Sequence, residues 1–308
     1  MHRFVDLFCG IGGFRVALEQ EGMDCVFSCD IDDKVRDVYF RNFDEIPHGD
    51  ITTLLNSDIP AHDILCAGFP CQPFSRSGRA KGFNDTRGRL FFEIVRIAKH
   101  HKPYILLLEN VRNILTVDDG NVLRTIYSAL QEIGYGLEHY TLNSSYFGVP
   151  QSRERVYFVA LRSDSPLRHT EPKPNYRKKY LKDILLDPDK CSSLIVNRPD
   201  IYITRDEGEP SLQPIQIGYV NKGGQGERIY SANGHAITQS ATSGGAGPRT
   251  GLYYVDGDVR KLHIQEAKSV MGFDKAFHVS AGLAGYSQLR NAVIPSMITN
   301  LYESVRIQ

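Results

Sequence analysis

The sequence predicts an α/β fold, a doubly wound sheet with a smaller, irregular, β-rich unit appended, and three observations predict it. Apolar runs of strand composition alternate with amphipathic helical stretches over roughly the first half of the chain. A glycine-rich strand-to-helix turn, Gly10-Ile11-Gly12-Gly13, is followed about 20 residues later by Asp30, the spacing of a nucleotide-binding crossover. From Ser163 to Tyr254 prolines and glycines become frequent and no long helical pattern is evident.

Taken in order, residues 3–8 read as a buried strand and Phe14–Glu21 as a helix with an apolar stripe at Phe14, Val16, Ala17 and Leu18. Cys25–Cys29 is the second strand, and the Asp30 that follows it can accept both hydroxyls of a ribose; capping a helix is its bland alternative role. The third strand, Asp63–Ala67, runs into Gly68-Phe69-Pro70-Cys71-Gln72-Pro73-Phe74-Ser75. Open α/β sheets bind ligands beyond the carboxyl ends of their strands, so Cys71 is placed as a nucleophile. Pro70 and Pro73 restrict the backbone on either side of it. A free cysteine is most often a small core hydrophobe, but the prolines, the glycine and polar Gln72 and Ser75 argue against that here.

Gly78–Gly88 is glycine-rich, basic and aperiodic, which predicts a mobile loop. Leu90–Lys99 reads as an amphipathic helix, and Tyr104–Leu108 as a strand ending at the carboxylate of Glu109. Asn121–Ile133 is a further helix, and Leu137–Leu142 and Arg155–Leu161 are further strands. The irregular region holds two glycine-rich loops, 223–226 and 244–247, which lack the side-chain bulk that would keep a ligand at a distance. Leu262–Met271 and Pro295–Val305 are predicted helices, the second with proline at its first turn.

The 308 residues are 41% hydrophobic and 23% charged, which suits one large domain and a smaller one. Lys+Arg and Asp+Glu balance at 36 each, so any nucleic-acid footprint must be local. Arg76, Arg79, Lys81, Arg87 and Arg89 form one basic run, and Lys173, Arg177, Lys178, Lys179 and Lys182 another. Either run could be only a solvated face. The 6 cysteines form no Cys-x-x-Cys pair or zinc-finger cluster, so no metal is expected. With no leader at the N-terminus, this predicts reduced thiols in the cytosol, and no apolar run is long enough to span a bilayer.

The stretch around Cys71 resembles the nucleophile motif of the DNA cytosine-5 methyltransferases, Pro-Cys-Gln followed closely by Phe-Ser. Four more stretches resemble that family in the right order: Asp6–Phe14, Glu109-Asn110-Val111, Gln151-Ser152-Arg153-Glu154-Arg155 and Asn291-Ala292-Val293. The resemblance spans nearly the whole chain. It implies a Rossmann-like S-adenosylmethionine-dependent methyltransferase domain formed by residues 1–183 and 291–308, a target-recognition domain at 184–262 and a hinge at 263–290. It further implies a monomer acting on double-stranded DNA in a bacterial or phage setting, without a membrane, and a cognate restriction endonuclease that would not be a physical partner.

The resemblance distributes the residues as follows. Cys71 attacks the cytosine, Glu109 serves N3 and the exocyclic amine, Arg155 meets O2, and Arg153 supports the Cys71 loop. Phe8, Gly10, Gly12, Asp30, Ile31, Asp50, Ile51, Pro70, Leu90, Asn291 and Ala292 surround the cofactor, with Asp50 at the adenine amine, helix capping being its bland alternative role. Ile31 stands where relatives often have an aromatic residue. The target base must leave the duplex, and Gln225 and Ser77 are nominated to fill the gap, with Ser75, Tyr230 and Thr238 also at the DNA. Arg228 is the candidate for reading a guanine edge. Residues 222–230 resemble the DNA-reading loop of a family member whose target is the inner cytosine of GCGC, although 241–249 differs.

One departure carries weight. Relatives usually have glycine before the late Asn, and this chain has Arg290. A guanidinium about 4 Å from the cofactor's sulfonium would repel it by roughly 1 kcal/mol in water and about 4 kcal/mol near a protein surface. Two readings follow. Arg290 faces solvent, a phosphate or a neighbouring acid, and the enzyme is a plain methyltransferase; or Arg290 pairs with a carboxylate on the transferred group, the donor is carboxy-S-adenosylmethionine and the product is 5-carboxymethylcytosine. A DNA-binding module without chemistry would predict damage at Cys71, Glu109 or Arg155, and all three are intact; a tRNA cytosine-5 methyltransferase is opposed by the long insert.

Overall fold

The structure, a computed structural model, describes residues 2–70, 89–239, 246–247 and 249–307. It divides into two units. The first takes Met1–Leu142, Glu154–Lys173 and Met297–Gln308; the second takes Asn143–Arg153 and Pro174–Ser296.

The first unit is built on β1 (Arg3–Leu7), β2 (Asp24–Cys29), β3 (Ile64–Gly68), β4 (Ile105–Val111), β5 (Tyr135–Asn143) and β7 (Glu154–Arg162), which form one sheet in the order β2-β1-β3-β4-β7-β5. β1 pairs in parallel with β2 and β3, and β3 with β4. Helices α1 (Gly13–Gln20), α2 (Asp33–Phe43), α3 (Arg89–His101) and α4 (Asn121–Glu132) connect the strands. Strand β4 reads Ile-Leu-Leu-Leu before its first polar residue because both faces of a central strand are covered. Leu106 and Leu108 are buried on one of those faces with Val5, Leu65, Ile94, Ile97 and Phe158. Each such side chain contributes about 1.5–3 kcal/mol on leaving water. The stripe Val122, Ile126 and Leu130 buries α4 at helical spacing.

The sheet is mixed. β7 runs antiparallel to β4, with partners from Ile105↔Leu161 to Val111↔Arg155. This pairing extends β4 through Val111, so Glu109 lies within the strand where the apolar run had suggested its end. Helix α2 had no sequence signal because only Val38 and Tyr39 are buried along it. Its start is held locally, the Asp32 side chain accepting the Lys34 amide. At the opening turn of α1, Gly12 has φ +92° and a Cβ there would sit 2.3 Å from the Phe43 ring. Only glycine fits that approach. A last helix, α7 (Pro295–Glu303), and a short pair between β8 (Leu167–His169) and β15 (Val305–Ile307) complete the unit.

In the second unit β9 (Ile201–Ile203), β10 (Gln216–Val220), β11 (Arg228–Ser231), β13 (Leu252–Val255) and β14 (Asp258–Arg260) form a sheet ordered β14-β13-β11-β10-β9. A separate two-stranded pair joins β6 (Gln151–Ser152) to β12 (Ala236–Ile237). Two helices follow, α5 (Ile264–Val270) and α6 (Gly282–Asn291). The core rests partly on a buried ion pair: Arg260 donates to both oxygens of Glu266 at 2.8 Å, and Glu266 also accepts from the amides of Leu186 and His263. A fully satisfied buried pair is tolerated where a broken one is not. Among the described residues no helix is long and apolar enough to cross a membrane, and no group of His, Cys, Asp or Glu could hold a metal ion.

Candidate active site

The strand ends of the first unit bring the predicted nucleotide-binding residues into view. Past the end of β1, half-buried Phe8 takes a left-handed conformation at φ 54°. Gly10 follows at φ +54°, and a Cβ there would meet nothing within 4 Å. Its amide donates to Asp30 Oδ2 at 3.0 Å while the Asp32 amide donates to Oδ1 at 3.0 Å. Burial raises the Asp30 carboxyl above the ordinary carboxylate range, and the two backbone donors work against that rise. Beside it Ile31 is 72% exposed, a large apolar side chain left at a strand's carboxyl end. Asp50 caps the short helical turn Ile51–Thr53: its Oδ1 accepts the Thr52 amide at 2.9 Å and the Thr52 hydroxyl at 2.8 Å. Ile51 is buried in the core, Leu90 packs partly buried against it, and Pro70 is exposed. Open space over Gly10, an oriented carboxylate and an uncovered apolar side chain fit a nucleoside whose ribose meets Asp30 and whose base lies on Ile31.

One register step away, Gly68 is the partner of Glu109, and a Cβ at Gly68 would lie 3.8 Å from Glu109 Oε2. Glu109 is paired with Arg155 at 3.1 Å from Nε to Oε1, the two side chains only 12% and 15% exposed. The antiparallel course of β7 makes this possible, since it returns Arg155 to the strand end that carries Glu109. Such a pair presents an acid and a cation together to whatever enters beside them. Asn110, which was quoted within its motif but given no role, is buried and donates from Nδ2 to the Phe69 carbonyl at 2.8 Å. Cys71, Ser75 and Ser77 lie outside the described residues.

The other predicted residues belong to the second unit. Arg153 is buried, and its guanidinium donates to the carbonyls of Arg290 at 2.9 Å and Ala292 at 3.2 Å. It thereby holds the segment containing exposed Asn291. Arg290 is half-buried, its Nε donates to no partner among the described residues, and its guanidinium pKa is lowered by burial and by the nearby charge of Arg249. In the loop before β11, Glu227 accepts the Gly224 amide and Asn221 Nδ2, each at 2.8 Å. These bonds hold the Glu227 carboxyl below its ordinary range. They leave Gln225 and Arg228 exposed, Arg228 Nε donating at 3.5 Å to the Gly223 carbonyl. Tyr230 is half-buried beside the Tyr253 ring, and the Thr238 hydroxyl donates to the Ser152 carbonyl at 2.7 Å. Glu227 and Asn221 were not singled out from the sequence, because a loop's internal hydrogen bonds leave no periodic signature.

A twisted sheet with a glycine turn, an acidic residue at the second strand end and a buried acid–cation pair farther along defines an α/β methyltransferase. The model of the C-5 cytosine-specific DNA methylases matches residues 2–306, and the chain belongs to that family. Type II methyltransferase M.HhaI of Haemophilus parahaemolyticus is 44% identical over 299 residues, covering 96% of this chain and 91% of the relative. Type II methyltransferase M.MspI of Moraxella sp is 37% identical over 311 residues, covering 99% of this chain and 70% of the relative. Among solved structures, S. pombe Dnmt2 methyltransferase aligns with a TM-score of 0.74 at 22% identity, over 98% of this chain and 97% of that one. This enzyme is therefore a DNA cytosine-5 methyltransferase, and its family implies S-adenosylmethionine as methyl donor and double-stranded DNA as substrate.

Proposed function

We propose that this chain methylates C5 of a flipped-out cytosine in a GCGC-like duplex site through a covalent adduct at Cys71. The observation that carries the reading is the buried Glu109–Arg155 pair, whose acid lies on β4, the strand next to the one that leads into Cys71. Cytosine C5 is a poor nucleophile. The Cys71 thiolate adds to C6, and the electron pair displaced from the ring's double bond makes C5 enamine-like. Glu109 as a carboxylic acid donates to N3 and accepts from the exocyclic amine, while Arg155 donates to O2. S-adenosylmethionine, when bound, supplies an electrophilic methyl group. Water then removes the C5 proton, the C5–C6 double bond re-forms and the Cys71 sulfur leaves.

Phe8, Asp30, Ile31 and Ile51 would hold the nucleoside of the donor, and Asp50, with Oδ1 occupied by Thr52, would offer Oδ2 to the adenine amine. Gly12, Pro70 and Leu90 complete that set, and in the second unit Arg153 acts by holding the segment of Asn291 through the carbonyls of Arg290 and Ala292. Gln225 with Ser77 would fill the space left by the flipped base, whose removal costs a few kcal/mol. Arg228 reads a guanine edge bidentately, worth about 1–3 kcal/mol of discrimination, with Ser75, Tyr230 and Thr238 supporting the DNA contact. The protein works as a monomer in the cytoplasm, and a cognate endonuclease would share its site without binding it.

A second reading rests on Arg290. Among the described residues no carboxylate pairs with its guanidinium, which supports a donor that brings its own carboxylate, carboxy-S-adenosylmethionine. Mass spectrometry of nucleosides from GCGC duplex incubated with the two donors in competition tests both readings. We expect 5-methylcytosine at the inner cytosine; dominant 5-carboxymethylcytosine would assign the chemistry to Arg290, and modification elsewhere would overturn the GCGC site.

A further inference from the structure

Asn110 follows Glu109 on β4 and is 2% exposed, with both ends of its side-chain amide in use. Nδ2 donates to the Phe69 carbonyl at 2.8 Å, and Oδ1 accepts the Val111 amide at 2.9 Å. The partners fix which atom is which, since a carbonyl demands the donor and an N–H the acceptor. Backbone pairing between β3 and β4 ends at Gly68↔Glu109. Asn110 continues the ladder with its side chain one step past that point, fastening to β4 the first residue after β3. The Phe69 ring is buried 5.5 Å from the Phe91 ring, which secures the same residue from its other end. Cys71 is the second residue after Phe69 in the sequence.

Successive residues of a strand face opposite ways. Glu109 and Asn110 therefore serve two sides of one strand, one carrying the acid of the pair with Arg155 and the other gripping the approach to the thiol. Building on the reading of Cys71 as nucleophile, we propose that Asn110 is a positioning residue that sets the distance between Cys71 and Glu109 through the Phe69 carbonyl. A displacement of about 1 Å between reacting groups is enough to cost roughly 100-fold in rate.

Two variants separate the two hydrogen bonds. Asn110→Ala loses both bonds and introduces no charge; Asn110→Asp keeps an acceptor for the Val111 amide and loses the donor to Phe69 only when its carboxyl is ionised. The readouts are single-turnover transfer of a labelled methyl group to unmodified DNA, the rate of covalent complex formation on a duplex carrying 5-fluorocytosine throughout one strand, DNA affinity and thermal unfolding. Both variants should form the complex and transfer methyl roughly 100-fold more slowly, with DNA affinity within about threefold of native. A native rate per folded molecule in Asn110→Ala, whatever its melting temperature, overturns the proposal. Should that variant not fold, a native rate in Asn110→Asp at a pH that ionises its carboxyl does so. Cys71→Ala is the separate control: if it still forms the complex, the nucleophile has been misassigned, irrespective of Asn110.

Discussion

The Glu109–Arg155 pair and the loop around Glu227 are both held by carboxylates, yet they are built in opposite ways. The first is mostly buried, and its two partners are aligned by the backbone register of β4 and β7. The second is exposed, and its shape depends on bonds from the Asn221 side chain and the Gly224 amide to one glutamate side chain. A site whose geometry follows from sheet register changes little with its surface sequence. A loop held by its own side chains can be remodelled by a few substitutions, which would suit the target-reading role proposed for this segment.

The comparison makes predictions of decreasing size. Glu109→Gln keeps the strand and removes the acid, so methyl transfer should fall by about 10²–10⁴-fold with DNA affinity unchanged. A rate within tenfold of native would mean that the buried pair is only structural. In the second unit the largest effect belongs to the scaffold. Glu266→Ala strands Arg260, whose side chain is 4% exposed, and should cost about 3–5 kcal/mol in denaturant unfolding of the chain. A loss below about 1 kcal/mol would show that water replaces the partner.

The smallest effect is expected at Glu227, and it depends on pH. Its folded-state carboxyl is depressed by Asn221 and Gly224, so the loop order it provides is present above the ordinary glutamate pKa and is lost as pH falls through the depressed value. Discrimination between target and non-target duplexes, measured down that pH range, should weaken in the native protein. Glu227→Gln should show weaker discrimination at all pH values, by less than about tenfold, with the pH trend removed. An unchanged trend would free Glu227 of the role.

Much of the first unit was legible from the sequence because its strands are short apolar runs and its candidate site residues sit where those runs stop. Asp30 and Glu109 could be placed by counting to the end of an apolar stretch. Glu109 was still misjudged by position, since Asn110 and Val111 are strand residues only because β7 pairs with them, a partner more than 40 residues away. Helix α2 escaped notice because it buries only Val38 and Tyr39. The second unit was recognised as β-rich, but its strand pairing was invisible: β11 pairs in parallel with β13 and antiparallel with β10, and none of these strands exceeds 5 residues. The helix-capping role that the sequence allows for Asp50 is the one observed, whereas sequence could not reveal that Arg153 holds two carbonyls of a segment 137 and 139 residues distant.

The path of the chain bears on any attempt to exchange the second unit between relatives. After β5 the chain contributes Asn143–Arg153 to the second unit, returns for β7, and only later supplies Pro174–Ser296. Strand β6 in the early segment is the partner of β12 in the late one, and the Thr238 hydroxyl bonds the Ser152 carbonyl across them. A graft that replaced 174–296 alone would mate a foreign β12 with a resident β6. A transplantable cassette thus comes in two pieces, the smaller of which ends at Arg153, immediately before the strand that bears Arg155.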